Sequence, residues 1–209
     1  MKPVNNYQPI DFKEPIQERS KKTREKILDA AKELFAENGF EETTTHLIAS
    51  GAGISIGGVY AHFKNKEEIF LHVLERRSRE IYNFTKGRVE EMMARDMSID
   101  EGLEYYLREI YRAHTKYGKL NFEMNRFITM NDKAAAIHDH WEWEETKEIA
   151  KWLERRKEEL DVEDPEVALI IASRAVHEVF HYLYKNRDRV DENRILKGLI
   201  TMLKKFIKK

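Results

Sequence analysis

Two histidines, His177 and His181, have the spacing that most directly suggests chemistry, because they stand one helical turn apart. Imidazoles at this spacing project from one side of a helix and can chelate a transition metal, with the carboxylate of Glu178 nearby. The surrounding apolar residues form a helix face, so packing or hydrogen bonding at an interface is the favoured interpretation. His138 and His140 are two residues apart and point to different faces of a helix. The sequence therefore predicts no metal site and leaves His177 and His181 as the only candidates for one.

Few other groups are arranged for catalysis. The chain of 209 residues contains no cysteine, which removes disulfides, thiolate nucleophiles and cysteine metal sites. No activated nucleophile, phosphate-binding loop or pair of carboxylates stands out. We therefore expect no enzymatic activity and no cofactor.

The global composition favours no particular partner. The 37 Lys and Arg residues are balanced by 38 Asp and Glu residues, giving a formal net charge of -1. The longest aliphatic run, residues 167–172, is far too short to span a bilayer, and the N-terminus lacks the apolar segment of a secretory signal. We therefore expect a cytoplasmic protein that does not engage a membrane.

The periodicity and caps of the chain are helical. From Lys22 onward, apolar residues recur at helical spacing until Asn38-Gly39 supplies a stop signal. Further N-terminal caps are expected where a hydroxyl or acidic residue precedes an apolar run. These residues are Ser98, Asp132, Asp164 and Asp191. Alternation typical of strands is lacking. The sequence predicts an all-α fold.

The segment from Thr43 to Phe63 reads as a helix-turn-helix. A short helix follows the threonines, ends near Gly53, and is succeeded by a second short helix that Ser55 caps. In such a unit the second helix enters the DNA major groove. The adjacent pair Gly57-Gly58 would let the backbone approach the duplex, although the same pair could be a loose turn between core helices.

Two stretches of the sequence, TREKILDAAKELFAENGF and ETTTHLIASGAGISIGGVYAHFKNKEEIF, resemble the DNA-binding region of the TetR family of transcriptional regulators. The similarity covers about residues 20–70. It implies a helix-turn-helix domain over 20–66 and a helical ligand-binding and dimerisation domain over 67–209. The start of the chain contains three prolines and little periodicity, which predicts a flexible N-terminal arm over 1–19.

The resemblance also implies roles for individual residues. The positions that match DNA-contacting residues of the family are Thr44, Thr45, His46, Ser55, Ile56, Gly57, Gly58, Tyr60, His62 and Lys66. Ile56 departs from the polar residue common in the family; it either contacts a thymine methyl group or packs in the core. A basic run lies beside this region and either follows DNA phosphates or is a solvated helix end: Arg19, Lys21, Lys22, Arg24 and Lys26.

Two apolar stripes near the C-terminus predict a four-helix dimer interface, with an intramolecular core seam as the alternative. The predicted interface residues are Ala168, Ile171, Ala175, Val179, Leu183, Leu199, Met202 and Phe206. Aromatic and methionine residues in the middle of the chain suggest an apolar ligand pocket. The candidates are Tyr105, Tyr106, Phe122, Phe127, Met130 and Trp141.

Together these features predict a homodimeric repressor that binds double-stranded operator DNA and is released by a small, largely apolar or aromatic ligand. Two alternatives remain open: a transcriptional activator of the same family, and a helical ligand- or metal-binding protein whose helix-turn-helix is only structural.

Overall fold

The computed structural model describes residues 18–208, and within that range it contains α-helices, one short 3-10 helix and no strand. The all-α prediction is confirmed. The helices are α1 (Glu18–Asn38), α2 (Thr45–Ala52), α3 (Ile56–Tyr60), α4 (Lys66–Ala94), α5 (Ile99–Thr115), α6 (Gly118–Ile128), α7 (Asp132–Arg155), α8 (Pro165–Asn186) and α9 (Glu192–Ile207). The predicted N-terminal arm lies outside the described residues up to position 17, whereas Glu18 and Arg19 already belong to α1.

The helix caps follow the sequence signals with one difference. Ser98 and Glu101 form a reciprocal capping box at the start of α5, and the Asp164 and Asp191 side chains accept backbone N–H groups at α8 and α9. At α7 the cap is Asn131 rather than Asp132, because the Asn131 side-chain oxygen accepts from the backbone of the next turn. Asp132 is instead the first helical residue, where a carboxylate still complements the helix dipole.

The chain separates into two compact units. Among the described residues, the first comprises 18–80 and 117–141, and the second comprises 81–116 and 142–208. Helices α4 and α7 therefore contribute residues to both units. This division of the packing differs from the predicted domain boundary at residue 66, because the first half of α4 and all of α6 share a core with the helix-turn-helix.

The core of the first unit is built on phenylalanines. Phe35 and Phe70 meet edge to face with ring centroids 4.8 Å apart, and Phe127 of α6 lies 4.8 Å from Phe70. Leu120 and Met124, also from α6, are buried in the same cluster. Helix α6 is thus part of the hydrophobic core that supports α1.

Ion pairs fix α1 against α4 inside the first unit. The Lys32 ammonium donates to both oxygens of Glu80 at 3.0 and 2.9 Å, and Arg76 pairs with Glu25 at 3.1 Å and with Asp29. Lys32 is the least exposed of these charged groups, with 12% of its side chain accessible. A pair this sheltered is screened less by salt than the exposed ones.

The second unit contains two neighbouring hydrophobic clusters. One is formed around Met92 and Trp152, and the other around Phe180 and Leu199. No helix among residues 18–208 combines the length and apolarity needed to cross a membrane.

Gly102 of α5 lies directly against Trp152 of α7 in the second unit. A Cβ atom at this position would lie 2.3 Å from Cζ2 of Trp152 and 3.0 Å from Cε of Met92. The Trp152 ring is buried and bonded through its indole N–H to the Met97 carbonyl at 3.4 Å. A larger residue at 102 would therefore have to displace the buried Trp152 ring, which is held in place and cannot simply swing aside.

We predict that Gly102→Ala destabilises the protein by about 1 to 3 kcal/mol, because overpacking outweighs the gain in helix propensity. The matched control is Gly87→Ala in α4, where a Cβ would meet no atom within 4 Å. That control should raise stability by up to about 1 kcal/mol. Chemical denaturation of both variants tests this, and equal stabilisation by the two substitutions would contradict it.

Candidate nucleic-acid interface

The turn between α2 and α3 has the geometry of a helix-turn-helix. The Thr44 hydroxyl accepts from the Leu47 N–H at 3.2 Å and caps α2. Gly53 ends the helix in the left-handed region, with φ of 66°, and its N–H turns back to the carbonyls of Ala49 and Ser50. Glycine adopts this conformation without strain, which is why the chain can reverse here.

A buried hydroxyl holds the loop before α2. Thr43 is fully buried, and its Oγ1 lies 2.7 Å from the Gly39 carbonyl and 3.1 Å from the Leu34 carbonyl. These contacts connect the end of α1 to the beginning of the helix-turn-helix. The backbone that carries Thr44 and Thr45 is therefore held in a fixed position.

Two hydroxyl groups lie together on the surface that these turns create. The Thr45 Oγ1 at the start of α2 is 3.2 Å from the Tyr60 hydroxyl at the end of α3. Tyr60 is 54% exposed despite its large ring. Paired hydroxyls at an eight-residue helix N-terminus, with exposed Thr44 and His46 adjacent, can donate hydrogen bonds to phosphate oxygens.

The glycine pair in α3 is not required by the backbone. Neither Gly57 nor Gly58 has a positive φ, and the nearest atom to a Cβ at Gly57 would be the Ser55 hydroxyl at 4.0 Å. At Gly58 a Cβ would make tight to ordinary contacts of 3.4 and 3.5 Å with Ser55 and Ile54. The folded chain therefore has room for alanine at position 57. Close approach of a partner to the α3 backbone is one role that glycine would serve at this position.

Ile56 is partly packed in the core and partly exposed, so core packing and contact with a thymine methyl group both stay compatible with its position. Its side chain packs against the core cluster of the first unit, yet the residue keeps an intermediate exposure. Ser55 precedes it and accepts the Gly58 N–H at 3.1 Å, so the first turn of α3 is fixed by that side chain. Part of Ile56 thus remains on the surface next to the glycine pair.

The guanidinium group of Arg24 contacts Phe63, just after α3, and His72 of α4. The Arg24 Nη2 atom is 2.8 and 2.9 Å from the two ring nitrogens of His72, and its Cζ is 5.2 Å from the Phe63 ring centroid. Burial, and then the charge of Arg24, lowers the pKa of His72 to about 3. Burial and Arg24 also lower the pKa of His62. Both histidines are therefore neutral at physiological pH.

Lys66 links α4 to the loop after α1. Its ammonium donates to the carbonyls of Phe40 at 2.8 Å and Glu41 at 3.2 Å, and it lies 4.3 Å from the Phe40 ring centroid. An ammonium has three donors, so one remains beyond these two bonds. The predicted phosphate contact of Lys66 stays a prediction, and the structure adds a positioning role for the same group.

The basic run of α1 divides into two groups. Arg19, Lys21, Lys22 and Lys26 are exposed, whereas Arg24 is engaged with His72. Only the exposed cations are placed to interact with an external polyanion.

The predicted pocket residues are not all interior. Met130 is 77% exposed and Phe122 is 39% exposed, so these two side chains lie largely on the surface. Phe127 packs with Phe40 and Phe70 in the core of the first unit, and the Trp141 indole donates to Glu75 at 2.9 Å in that unit. A groove of about 460 Å³ in the first unit, beside Leu71 and Asp132, is lined by none of the six predicted residues.

A polar cluster that the sequence analysis missed surrounds Tyr106 in the second unit. Thr85 is fully buried, and its Oγ1 lies 3.2 Å from the Tyr106 hydroxyl and 3.2 Å from a Glu145 oxygen. Burial and the Glu145 carboxylate raise the pKa of Tyr106. Nearby, Tyr82 donates to Glu148 at 3.2 Å. These contacts join α4, α5 and α7, and no local sequence signal brings them together.

The predicted dimer stripes separate into buried and exposed parts. Ala168, Leu183 and Leu199 are buried within the chain, so they serve the intramolecular seam that the sequence left as an alternative. Ala175 and Val179 pack against the same core. Ile171, Met202 and Phe206 are 51%, 50% and 39% exposed, and the further exposed apolar residues on α8 are Val167, Ile170 and Tyr182.

Comparison with known proteins supports the resemblance at the helix-turn-helix. Residues 27–73 match the family described as bacterial regulatory proteins, tetR family. The chain is 32% identical to the HTH-type transcriptional regulator QacR of Staphylococcus aureus (strain Mu50) over 115 residues, which are 49% of this chain and 61% of that protein. The resemblance of this region to the TetR family is confirmed.

Solved structures share the fold over most of the chain. A transcriptional regulator of the TerR/AcrR family from Aquifex aeolicus VF5 is 26% identical, with a TM-score of 0.60, over 87% of this chain and 98% of that one. SmeT of Stenotrophomonas maltophilia, in its complex with triclosan, is 23% identical with a TM-score of 0.68. The SmeT similarity covers 90% of this chain and 92% of that one.

We predict that Gly57→Ala separates folding from DNA binding. The substitution should leave the protein as stable or up to about 1 kcal/mol more stable, because alanine favours the helix and the site has room. It should weaken DNA binding, because the added methyl group prevents close approach of the α3 backbone to the duplex. Thermal unfolding and fluorescence anisotropy measure the two effects. Undiminished DNA affinity would contradict the role assigned to this glycine.

Proposed function

We propose that this protein is a TetR-type transcriptional regulator that acts as a homodimeric repressor. It binds double-stranded operator DNA and is released from it by a small, largely apolar or aromatic ligand. The observation that carries the proposal is the surface formed by α2 and α3, which presents the paired hydroxyls of Thr45 and Tyr60 together with the glycine pair Gly57-Gly58.

This surface supports DNA recognition by its chemistry. Hydroxyl and backbone N–H groups bind phosphate oxygens and fix the position of a protein on the duplex, whereas side chains in the groove read the bases. Ile56 is the apolar residue at the proposed groove-facing turn, and a thymine methyl group is the base feature it suits. The exposed cations at the start of α1 add attraction to the phosphate backbone.

Dimerisation is proposed to use the exposed apolar residues of α8 and α9. Ile171, Met202 and Phe206 were part of the predicted interface and remain accessible in the single chain. A dimer would place two recognition helices on successive half-sites, about 34 to 36 Å or a multiple apart. The buried residues of the two stripes would then support these helices from within each subunit.

The ligand is proposed to bind in the second unit near Tyr106. This part of the unit combines aromatic and aliphatic side chains with the polar groups of Thr85 and Glu145, the mixture typical of small-molecule sites. SmeT, which shares the fold, has a solved structure in complex with triclosan. A ligand that binds the DNA-incompetent state more tightly by about 1 to 3 kcal/mol would lower operator affinity roughly 5- to 150-fold.

We predict that Thr45→Val and Tyr60→Phe each weaken operator binding roughly tenfold or more. Each removes a hydroxyl that would donate to a charged phosphate, an interaction of about 1.5 to 3 kcal/mol. Because the two hydroxyls are bonded to each other, the double variant should lose less than the sum of the single losses. Genomic fragments selected by the wild-type protein would serve as operator in anisotropy titrations.

The control for the Thr45 and Tyr60 variants is Thr129→Val. Thr129 follows α6 in the same unit, and its hydroxyl donates to the Arg126 carbonyl at 2.7 Å. This variant should bind the selected fragments as the wild type does. Failure of the wild-type protein to select any fragment would reject the proposed function, and wild-type affinity in both hydroxyl variants would reject this binding surface.

We predict that Ile171→Glu gives a monomer that binds operator weakly. The side chain is exposed in the single chain, so the subunit should fold, but a dimer would bury an unpaired carboxylate. Phe122→Glu introduces the same charge at an exposed apolar residue of α6 and should leave the dimer intact. Sedimentation velocity distinguishes the two, and a dimeric Ile171→Glu protein would exclude this face.

A further inference from the structure

Two charged side chains of α6 lie over the turn that follows α1. Lys119 and Glu123 are four residues apart, so they project from one side of α6. Gly39, the first residue after α1, has a positive φ of 86°. A Cβ atom built on Gly39 would lie 3.4 Å from Oε1 of Glu123 and 3.8 Å from Cε of Lys119. The α6 side chains therefore cover the point where the chain leaves α1.

Both side chains also reach the backbone at this turn. The Lys119 ammonium donates to the Glu37 carbonyl in the last turn of α1, a turn that contains no basic residue of its own. A Glu123 oxygen lies 3.5 Å from the Phe40 nitrogen, at the long end of hydrogen-bonding distance. Lysines that donate to terminal carbonyls stabilise helix C-termini, and here a separate helix supplies the lysine.

A short series of hydrogen bonds continues from this turn to the start of α2. The Gly39 carbonyl accepts from the buried Thr43 hydroxyl at 2.7 Å. Thr44 follows directly in the chain and caps α2 by accepting from the Leu47 N–H at 3.2 Å. A shift of Gly39 would therefore be passed through Thr43 to Thr44 and Thr45, which are candidate DNA-contacting residues.

We propose that Lys119 and Glu123 are positioning residues for DNA binding, which act by fixing the loop between α1 and α2 (residues 39–44). Neither side chain has to touch the duplex, because each holds the backbone of the turn and the turn sets where α2 begins. The effect on DNA affinity rests on the proposed function, whereas the effect on the loop does not. The DNA-binding surface would then depend on a helix outside the contiguous helix-turn-helix segment.

Amide hydrogen exchange of the full-length protein, measured by NMR, tests the loop and requires no DNA. Lys119→Met and Glu123→Leu each remove a polar contact with the turn but keep an apolar stem. The Phe40 and Leu47 N–H groups should exchange at least about threefold faster in both variants, because the turn and the α2 cap open more often. Glu123→Gln keeps an oxygen that can accept from Phe40 and should exchange as the wild type does. Unchanged Leu47 exchange in both loss variants would overturn the proposal.

Anisotropy titrations with the selected genomic fragments test the consequence for DNA. Both loss variants should weaken binding roughly three- to tenfold, the effect of one lost hydrogen bond. Glu123→Leu is informative because removal of a negative charge would by itself strengthen binding to DNA. Lys119→Met should leave the salt dependence of binding unchanged, whereas loss of a direct phosphate contact would lower its slope by about one unit. Tighter binding by Glu123→Leu, or a lower slope for Lys119→Met, would contradict the positioning role.

The matched control is Lys133→Met, which removes the same charge from an exposed residue at the start of α7 in the same unit. It should keep wild-type exchange and affinity, and an equal loss of affinity in this control would overturn the proposal. Chemical denaturation of each variant is measured in parallel, and a loss of stability without a loss of affinity would reduce both residues to a structural role. If the wild type selects no fragment, the proposed function fails and the exchange measurement alone decides whether α6 positions the loop.

Discussion

The helix-turn-helix depends on burial of a few apolar side chains against neighbouring helices. Helix α2 has eight residues and α3 has five, lengths at which an isolated helix is not stable in water. Their stability comes from packing, since Ile48, Val59 and Phe63 are 0%, 0% and 2% exposed. The residues proposed to contact DNA can remain polar and accessible because these three side chains hold the two helices in place.

The features that could be predicted from the sequence are those that depend on residues close together in the chain. Periodicity and capping residues are local, and they predicted the all-α fold and most helix starts. The spacing of Thr44, Gly53 and Ser55 likewise predicted the two caps and the turn that the structure contains. These features depend on interactions within a few residues, so a single sequence is sufficient to recognise them.

Features that depend on distant residues were not predictable in the same way. A helical stripe shows that a face is apolar but not what covers it, which is why Leu183 and Ile171 look equivalent in sequence although one is buried and the other exposed. Lys66 is predicted from the family resemblance to contact a DNA phosphate, but the resemblance gave no sign that its ammonium also bonds to the carbonyls of Phe40 and Glu41. The contact between Thr85 and Glu145 joins residues sixty positions apart.

The participation of α6 in the first unit has a consequence for the order in which the protein can be completed during synthesis. Leu120, Met124 and Ile137 belong to the same core as α1, although they are translated long after residue 74. A nascent chain that ends near residue 80 would leave the apolar surface facing these residues in water. The helix-turn-helix is contiguous in sequence, but its core is finished only when a segment some sixty residues later has left the ribosome. For the same reason, a fragment cut at residue 66 would not be a self-sufficient module for transfer to another protein.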